Sequence, residues 1–228
     1  MMTTTVYLIR HGETDWNVTG RWQGHADVPL NALGRRQAEL LAQRLRDEDV
    51  RFDAIYSSDL ARAYQTAWEL GAAVKAPVQL LPPLREIDLG AWSGLTRDDI
   101  RERYPIEFAL LEEGQDVPRG GGETLLGLRK RVVEAVDAIV AQHPRETLAL
   151  VTHGGPVRML LAHAAQHGDG WRSFAHIGNT SVSILHCNGP NWTIVTQNDM
   201  RHLADVPQAP DLMSAPPDDA EQPQEWNP

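Results

Sequence analysis

Val6-Tyr7-Leu8-Ile9-Arg10-His11-Gly12 is a short apolar run that ends in a histidine and a glycine, and Leu148-Ala149-Leu150-Val151-Thr152-His153-Gly154 repeats the pattern. A short apolar run bounded by glycine reads as a buried strand of a parallel sheet. The residue just past such a strand lies at the carboxyl edge of the sheet, where open α/β folds bind ligands. With the two strands as neighbours, both imidazoles meet in one crevice beside Arg10. Two imidazoles and a guanidinium suit an anion, phosphate above all.

Outward from these strands, short apolar runs alternate with helical periodicity. This predicts an α/β fold, a three-layer sandwich with a mostly parallel central sheet and helices on both faces. Asn31 is placed to cap a helix that carries Ala38, Leu41 and Leu45 on one face. Residues 53–57 read as a second strand, and Asp59 as the cap of a helix running to Val74. Residues 77–81 read as a third strand, and residues 96–113 as one short charged helix over a surface. After Gly120-Gly121-Gly122, Leu125, Leu128, Val132, Val136 and Ile139 recur with a 3.6-residue period. A helix opens at Gly155-Pro156, with proline suited to the first turn. Residues 181–186 and 192–197 flank Asn188-Gly189-Pro190 as an antiparallel hairpin. Residues 1–205 are expected to form a single domain. The stretch 206–228, with six prolines, five acidic residues and no Lys or Arg, reads as a tail.

The 228 residues are 42% hydrophobic and 23% charged, with a formal net charge of -10, so the bulk surface favours neither nucleic acid nor an anionic membrane. No apolar run reaches the roughly 18 residues that span a bilayer. The start of the chain has neither the basic nor the apolar region of a signal peptide. Cys187 is the single cysteine, which excludes an internal disulfide and a cysteine-based zinc site. A cytoplasmic location is expected.

Four blocks carry the chemistry. A neutral imidazole can accept a phosphoryl group and split one displacement into two easier ones, which casts His11 as nucleophile, with Arg10 as a bidentate clamp. In Ser57-Ser58-Asp59-Leu60-Ala61-Arg62, a helix start places Arg62 in the first turn, where free N–H groups already favour an anion. In Arg85-Glu86-Ile87-Asp88, a carboxyl can deliver a proton to a leaving oxygen and later take one from water; spacing alone does not choose between Glu86 and Asp88. His153-Gly154 precedes a helix start and adds backbone donors to the same site.

His11 opens Arg10-His11-Gly12-Glu13-Thr14-Asp15-Trp16-Asn17, followed by Arg21-Trp22-Gln23-Gly24, Pro29-Leu30, Gly34 and Gln37. In these blocks the chain resembles the histidine phosphatase superfamily, which includes the cofactor-dependent phosphoglycerate mutases, over roughly residues 5–203. The resemblance implies a phosphoglycerate mutase-like fold, Arg62 as a second phosphate clamp, Glu86 as the acid/base, and His153 as a donor to the transferring phosphoryl group. It also implies that Asn17, Gln23, Gly24 and Gly154 line the phosphate pocket.

Mutases of that family carry Tyr-Gly soon after the catalytic glutamate and then a long basic insertion. Here Ile87-Asp88-Leu89-Gly90 and a short segment stand instead. The expectation is therefore a phosphomonoesterase of the small-phosphatase branch, independent of metal and cofactor, acting on a small phosphorylated metabolite. A phosphoglycerate mutase is the alternative, and a non-catalytic phosphate-binding module a third reading. A homo-oligomer stays open.

Arg97, Arg101, Arg103 and Arg119 lie in the segment that covers the pocket, placed either to meet a carboxylate or second phosphate or to face solvent. Glu123 is expected to serve a helix start, with a place in the pocket as the alternative. His163 and His167 share the i, i+4 spacing of a metal pair but lack further ligands nearby in sequence. Trp92, Trp171 and Trp192 read as core or groove aromatics.

Overall fold

In the computed structural model, which describes residues 3–166, 174 and 176–206, six strands make one sheet. They are β1 (Thr4–Arg10), β2 (Ala54–Ser57), β3 (Val78–Leu80), β4 (Thr147–Thr152), β5 (Val182–Asn188) and β6 (Asn191–Asp199), in the spatial order β3-β2-β4-β1-β5-β6. The first four of that order run parallel, and β5 and β6 add antiparallel on the far side of β1. β1 and β4 are direct neighbours, with Arg10 opposite Thr152, so the two histidine-bearing strand ends lie side by side. The expected hairpin is present: Asn188 faces Asn191, and Gly189 takes the positive φ of the turn.

Seven α-helices are found among the described residues: α1 (Asp15–Val18), α2 (Ala32–Asp47), α3 (Ala61–Val74), α4 (Arg97–Arg103), α5 (Pro105–Glu112), α6 (Leu125–Gln142) and α7 (Gly154–Ala164). Alternate strand residues divide the core in two, as a pleated sheet buried on both sides requires. Val6, Leu8, Leu148 and Leu150 pack with Leu128, Val132 and Val136 of α6 and Leu160 and Leu161 of α7. Ile9, Ala149 and Val151 pack on the other side with Leu41 and Leu45 of α2 and Ala63, Ala67 and Leu70 of α3. Each large side chain so buried contributes roughly 1.5–3 kcal/mol. The result is a three-layer α/β/α sandwich, with the carboxyl ends of β1, β2 and β4 at one edge.

Local signals account for most boundaries. Asn31 Oδ1 accepts the Gly34 N–H at 2.7 Å and starts α2, as expected. Residues 96–113 form two helices rather than one. Thr96 and Asp99 close a capping box on α4, and Pro105 then forces the break. The residue before a proline is pushed out of the helical region, and Tyr104 accordingly sits at φ -130, ψ 53.

Two expected caps are corrected. Asp59 does not cap α3; Leu60 holds the cap position, and the Asp59 carboxylate forms a two-pronged ion pair with Arg85. A charge-assisted fork outcompetes a single cap bond, and Asp27 Oδ1 accepts the Ala61 N–H instead, at 2.6 Å. Glu123 does not start α6 either. Thr124 caps it through the Gly127 N–H, and Asp116 accepts the N–H groups of Leu125 and Leu126.

The loop after β1 is pressed onto the start of α2. A Cβ at Gly34 would lie 2.0 Å from the Glu13 carbonyl oxygen, and one at Gly12 would lie 2.5 Å from that of Gly34. The Glu13 N–H donates to Gln37 Oε1 at 2.9 Å, and Asn31 Nδ2 donates to the Glu13 carboxylate at 2.8 Å. Among the described residues, no helix is long and apolar enough to cross a membrane. Gly34→Ala should cost about 3 kcal/mol, since neither backbone can yield without unseating the loop. A urea midpoint equal to that of the parent protein would contradict this contact.

Candidate active site

His11 is the first residue past β1. Its N–H donates to the Thr152 carbonyl at 2.9 Å, and its own carbonyl accepts from the Thr180 N–H and from Asn179 Nδ2. The imidazole is 3% exposed. Nδ1 lies 2.7 Å from the Gly12 carbonyl, which can only accept, so Nδ1 carries the proton and Nε2 keeps its lone pair. Burial pushes the His11 pKa well below its ordinary 6.5, and the guanidiniums of Arg62 and Arg10 push the same way. The Gly12 bond opposes them and loses.

His153, at the cap position of α7, is fully buried, its ring centroid 5.1 Å from that of His11. Here the proton sits on the other nitrogen. Arg62 Nε–H donates to His153 Nδ1 at 3.1 Å, so Nδ1 is the acceptor and Nε2–H points to Ser58 Oγ at 2.9 Å. Burial, then the charge of Arg62, holds the His153 pKa well below 6.5. The pair thus has opposite tautomers: a bare nitrogen on His11 and an N–H donor on His153.

Arg62 occupies the first turn of α3 and is 1% exposed. Besides His153, it donates to the carbonyls of Ala26 at 2.7 Å and Gly24 at 2.8 Å. Burial lowers its pKa to about 10, with Glu86 and Asp27 acting in the opposite direction, so it remains a cation at neutral pH. Arg10 is also buried and donates to the Ile177 carbonyl. The start of α7 lies against it: a Cβ at Gly154 would come 3.8 Å from Arg10 Nε.

Glu86 joins the same cluster through α7. Its carboxylate accepts the Gly155 N–H at 3.0 Å and the Ile87 N–H at 2.9 Å. A Cβ at Gly155 would fall 2.1 Å from Glu86 Oε1, so only glycine leaves the carboxylate in place. Asp88 turns elsewhere, accepting the Gly90 N–H at 2.9 Å. This contact with α7 separates the two carboxylates where spacing does not.

The structure thus brings together Arg10, His11, Arg62, Glu86, His153 and Gly154, with Gly24 holding Arg62 by its carbonyl. The Gln23 side chain is buried, and its backbone carbonyl accepts from Ser93 Oγ at 2.9 Å. Asn17 is buried too, but its Oδ1 closes a capping box with Thr14, which leaves only its Nδ2 donors suited to an anion.

Ser58, with its hydroxyl on His153, was missed by sequence reasoning. It lies one residue past β2, at the same strand edge that marks His11 and His153, so the same rule would have found it. Thr66 Oγ1, which accepts the Gly12 N–H at 3.0 Å, and Arg131, which donates to the Glu86 carbonyl at 3.0 Å, carried no comparable signal.

The arginines of the covering segment are engaged within it. Arg97 and Arg101 pair with Glu112 and lie over the Phe108 ring, Arg103 lies 4.0 Å from Asp99, and Arg119 is buried on Asp116. His163 packs edge-on against Trp192 at 5.0 Å, and Trp92 is buried in the core. His167, Trp171 and the stretch beyond residue 206 lie outside the described residues. Among the described residues, no group of three or more His, Cys, Asp or Glu side chains is arranged to hold a metal ion.

Two buried guanidiniums, helix-start N–H groups and an imidazole N–H lie at one sheet edge with a neutral imidazole whose Nε2 is bare, an arrangement suited to phosphoryl transfer. The family model of the histidine phosphatase superfamily (branch 1) matches residues 6–200, and the chain belongs to that superfamily, with its phosphoglycerate mutase-like fold. The metal-independent phosphoserine phosphatase of Arabidopsis thaliana is 35% identical over 207 residues, 89% of this chain and 84% of that protein. Phosphoglycerate mutase-like protein 4 of the same plant is 37% identical over 206 residues, 88% of this chain and 87% of that protein. Among solved structures, a mycobacterial glucosyl-3-phosphoglycerate phosphatase matches with a TM-score of 0.78 at 32% identity, covering 86% of this chain and 99% of that one.

The tautomers are open to direct measurement. In phosphate-free protein with ¹⁵N-labelled histidine at pH 6.5, His11 should give the shifts of a neutral Nδ1–H ring and His153 those of a neutral Nε2–H ring. A His11 half-protonated at that pH would overturn the burial argument.

Proposed function

We propose that the chain is a metal-independent phosphatase of small phosphorylated metabolites, working through a phosphohistidine at His11. The observation that carries this reading is the bare Nε2 of His11, kept neutral by burial and by Arg10 and Arg62, beside a donor tautomer of His153. Nε2 attacks phosphorus, the P–O ester bond breaks, and a proton from Glu86 goes to the leaving alkoxide. Water then attacks the phosphohistidine and gives its proton to Glu86; the N–P bond breaks and phosphate departs. Arg10, Arg62 and the N–H groups of α7 hold the phosphoryl oxygens throughout, and His153 Nε2–H turns from Ser58 to one of them. Asn17, Gln23 and Gly24 border the same pocket.

The covering segment favours hydrolysis over mutase chemistry. A mutase must retain a phosphoglycerate while its phosphoryl group returns to a second hydroxyl. Here Arg97, Arg101 and Arg119 are engaged by Glu112 and Asp116 rather than offered to a ligand. The relative named for phosphoserine makes that amino-acid ester the first substrate to test, followed by sugar phosphates and glucosyl-phosphoglycerate. A single buried Cys187, its thiol pushed up to about 12 by burial, suits a reducing cytoplasm.

Phosphate release from a phosphomonoester panel should be insensitive to EDTA. His11→Ala should lower it by at least about 10³-fold, the nucleophile being irreplaceable. Quenching in alkaline SDS with ³²P-labelled substrate should trap an acid-labile, base-stable label on the parent protein and none on His11→Ala. Bisphosphate-primed interconversion of 2- and 3-phosphoglycerate with little phosphate release would establish the mutase reading instead. Binding without label would establish a phosphate-binding module.

A further inference from the structure

Residues 85–89 hold the proposed acid Glu86, yet they form neither helix nor strand. Buried or half-buried backbone groups outside regular structure need partners from elsewhere. Most of them come from one ion pair. Arg131, on α6, donates through Nη1 to the carbonyls of Pro83 at 2.7 Å and Arg85 at 3.0 Å, and through Nη2 to that of Glu86 at 3.0 Å. The same guanidinium forks onto Glu123, Nε to Oε1 at 2.8 Å and Nη2 to Oε2 at 2.7 Å. Glu123 completes the clamp on the next residues: Oε2 accepts the Asp88 N–H at 2.9 Å, and the Glu123 N–H donates to the Asp88 carbonyl at 2.8 Å. Five backbone groups between Pro83 and Asp88 are thus held by two side chains and one peptide.

The clamp faces the catalytic edge. His25 Nε2 binds the Glu86 carbonyl from the opposite loop at 2.9 Å, so that oxygen is gripped from two sides. The Glu86 carboxylate meanwhile rests on the Gly155 N–H of α7. α6 packs against α7 at this point, where a Cβ at Gly155 would lie 3.1 Å from Leu128 Cδ2. One guanidinium on α6 therefore fixes the backbone of the residue whose side chain α7 receives. Glu123 stays ionised for this: burial raises its pKa, but the Arg131 bonds and the Asp88 N–H outweigh it and leave the net shift downward.

We infer that the Glu123–Arg131 pair is a positioning element for general acid catalysis, holding Glu86 where its proton meets the leaving oxygen without either residue touching the substrate. This rests on the reading of Glu86 as the acid. Proton delivery by a placed side chain is worth about 10² to 10⁴-fold, and a carboxyl displaced by about an ångström forfeits much of that.

The test exploits the leaving group. An alkoxide needs a proton as it departs, whereas p-nitrophenolate is stable without one. Arg131→Lys keeps the charge but loses the planar fork, and Glu123→Gln keeps the shape but loses the charge. Each should lower kcat on phosphoserine, or on the best alkyl phosphate of the panel, by roughly tenfold to hundredfold with KM within about twofold. The p-nitrophenol burst should fall by less than about threefold. An open hollow of about 530 Å³ lies over Arg131, lined also by Pro83, Gly127, Lys130, Glu134 and Ala135. Guanidinium ion should accordingly restore part of the alkyl-phosphate rate to Arg131→Ala, which keeps the inference testable if Arg131→Lys is poorly folded.

Equal losses on both leaving groups, or losses confined to KM, overturn the positioning role. Glu86→Gln serves as the separate control. If it shows no leaving-group dependence, the reading of Glu86 as acid fails. If it does and the clamp variants do not, only the clamp fails. Combining Arg131→Lys with Glu86→Gln should cost little beyond Glu86→Gln alone, since both act through one proton transfer.

Discussion

The buried guanidinium of Arg62 is the constraint around which the catalytic edge is arranged. Removing an ion from water costs several kcal/mol even after the surroundings relax. Among the described residues, the groups that bind it are neutral acceptors: the carbonyls of Gly24 and Ala26 and Nδ1 of His153. Nε, Nη1 and Nη2 each have an acceptor, and none of the three acceptors is charged. The carboxylates of Glu86 and Asp27 act on that charge without bonding to it and help to keep it.

The same side chain sets two further features. The loop that follows β1 must turn the Gly24 and Ala26 carbonyls inward, which Gly24 does at positive φ. Arg62 also occupies His153 Nδ1 and so dictates where that ring keeps its proton. Ser58 receives that proton's hydrogen bond, so the tautomer of His153 is fixed from both sides of the ring.

The layered fold was legible because its signals are periodic or local: apolar runs for β1 and β4, a 3.6-residue stripe for α6, Asn31 before α2. His11, Arg10, Arg62 and His153 were legible as residues at strand ends and helix starts. What escaped depends on chain segments that meet only in the folded state. Asp59 and Glu123 both stand where a cap belongs, and each is claimed instead by an arginine, Arg85 or Arg131. Glu86 and Asp88 are equivalent on spacing, and only the Gly155 N–H distinguishes them. The break between α4 and α5 is readable from Pro105, whose missing N–H cannot continue a helix.

The separation of the two histidines has its own origin. β1 and β4 are hydrogen-bonded neighbours, and paired strands stand about 4.8 Å apart, close to the 5.1 Å between the His11 and His153 rings. The two imidazoles are therefore spaced by the backbone repeat of a sheet rather than by any loop. Residues 87–123 can lengthen, shorten or change composition without altering that interval. That interval belongs to the sheet, whereas the hold on Glu86 reaches into residue 123, so the spacing of the two histidines is the part of this edge least exposed to change in that segment.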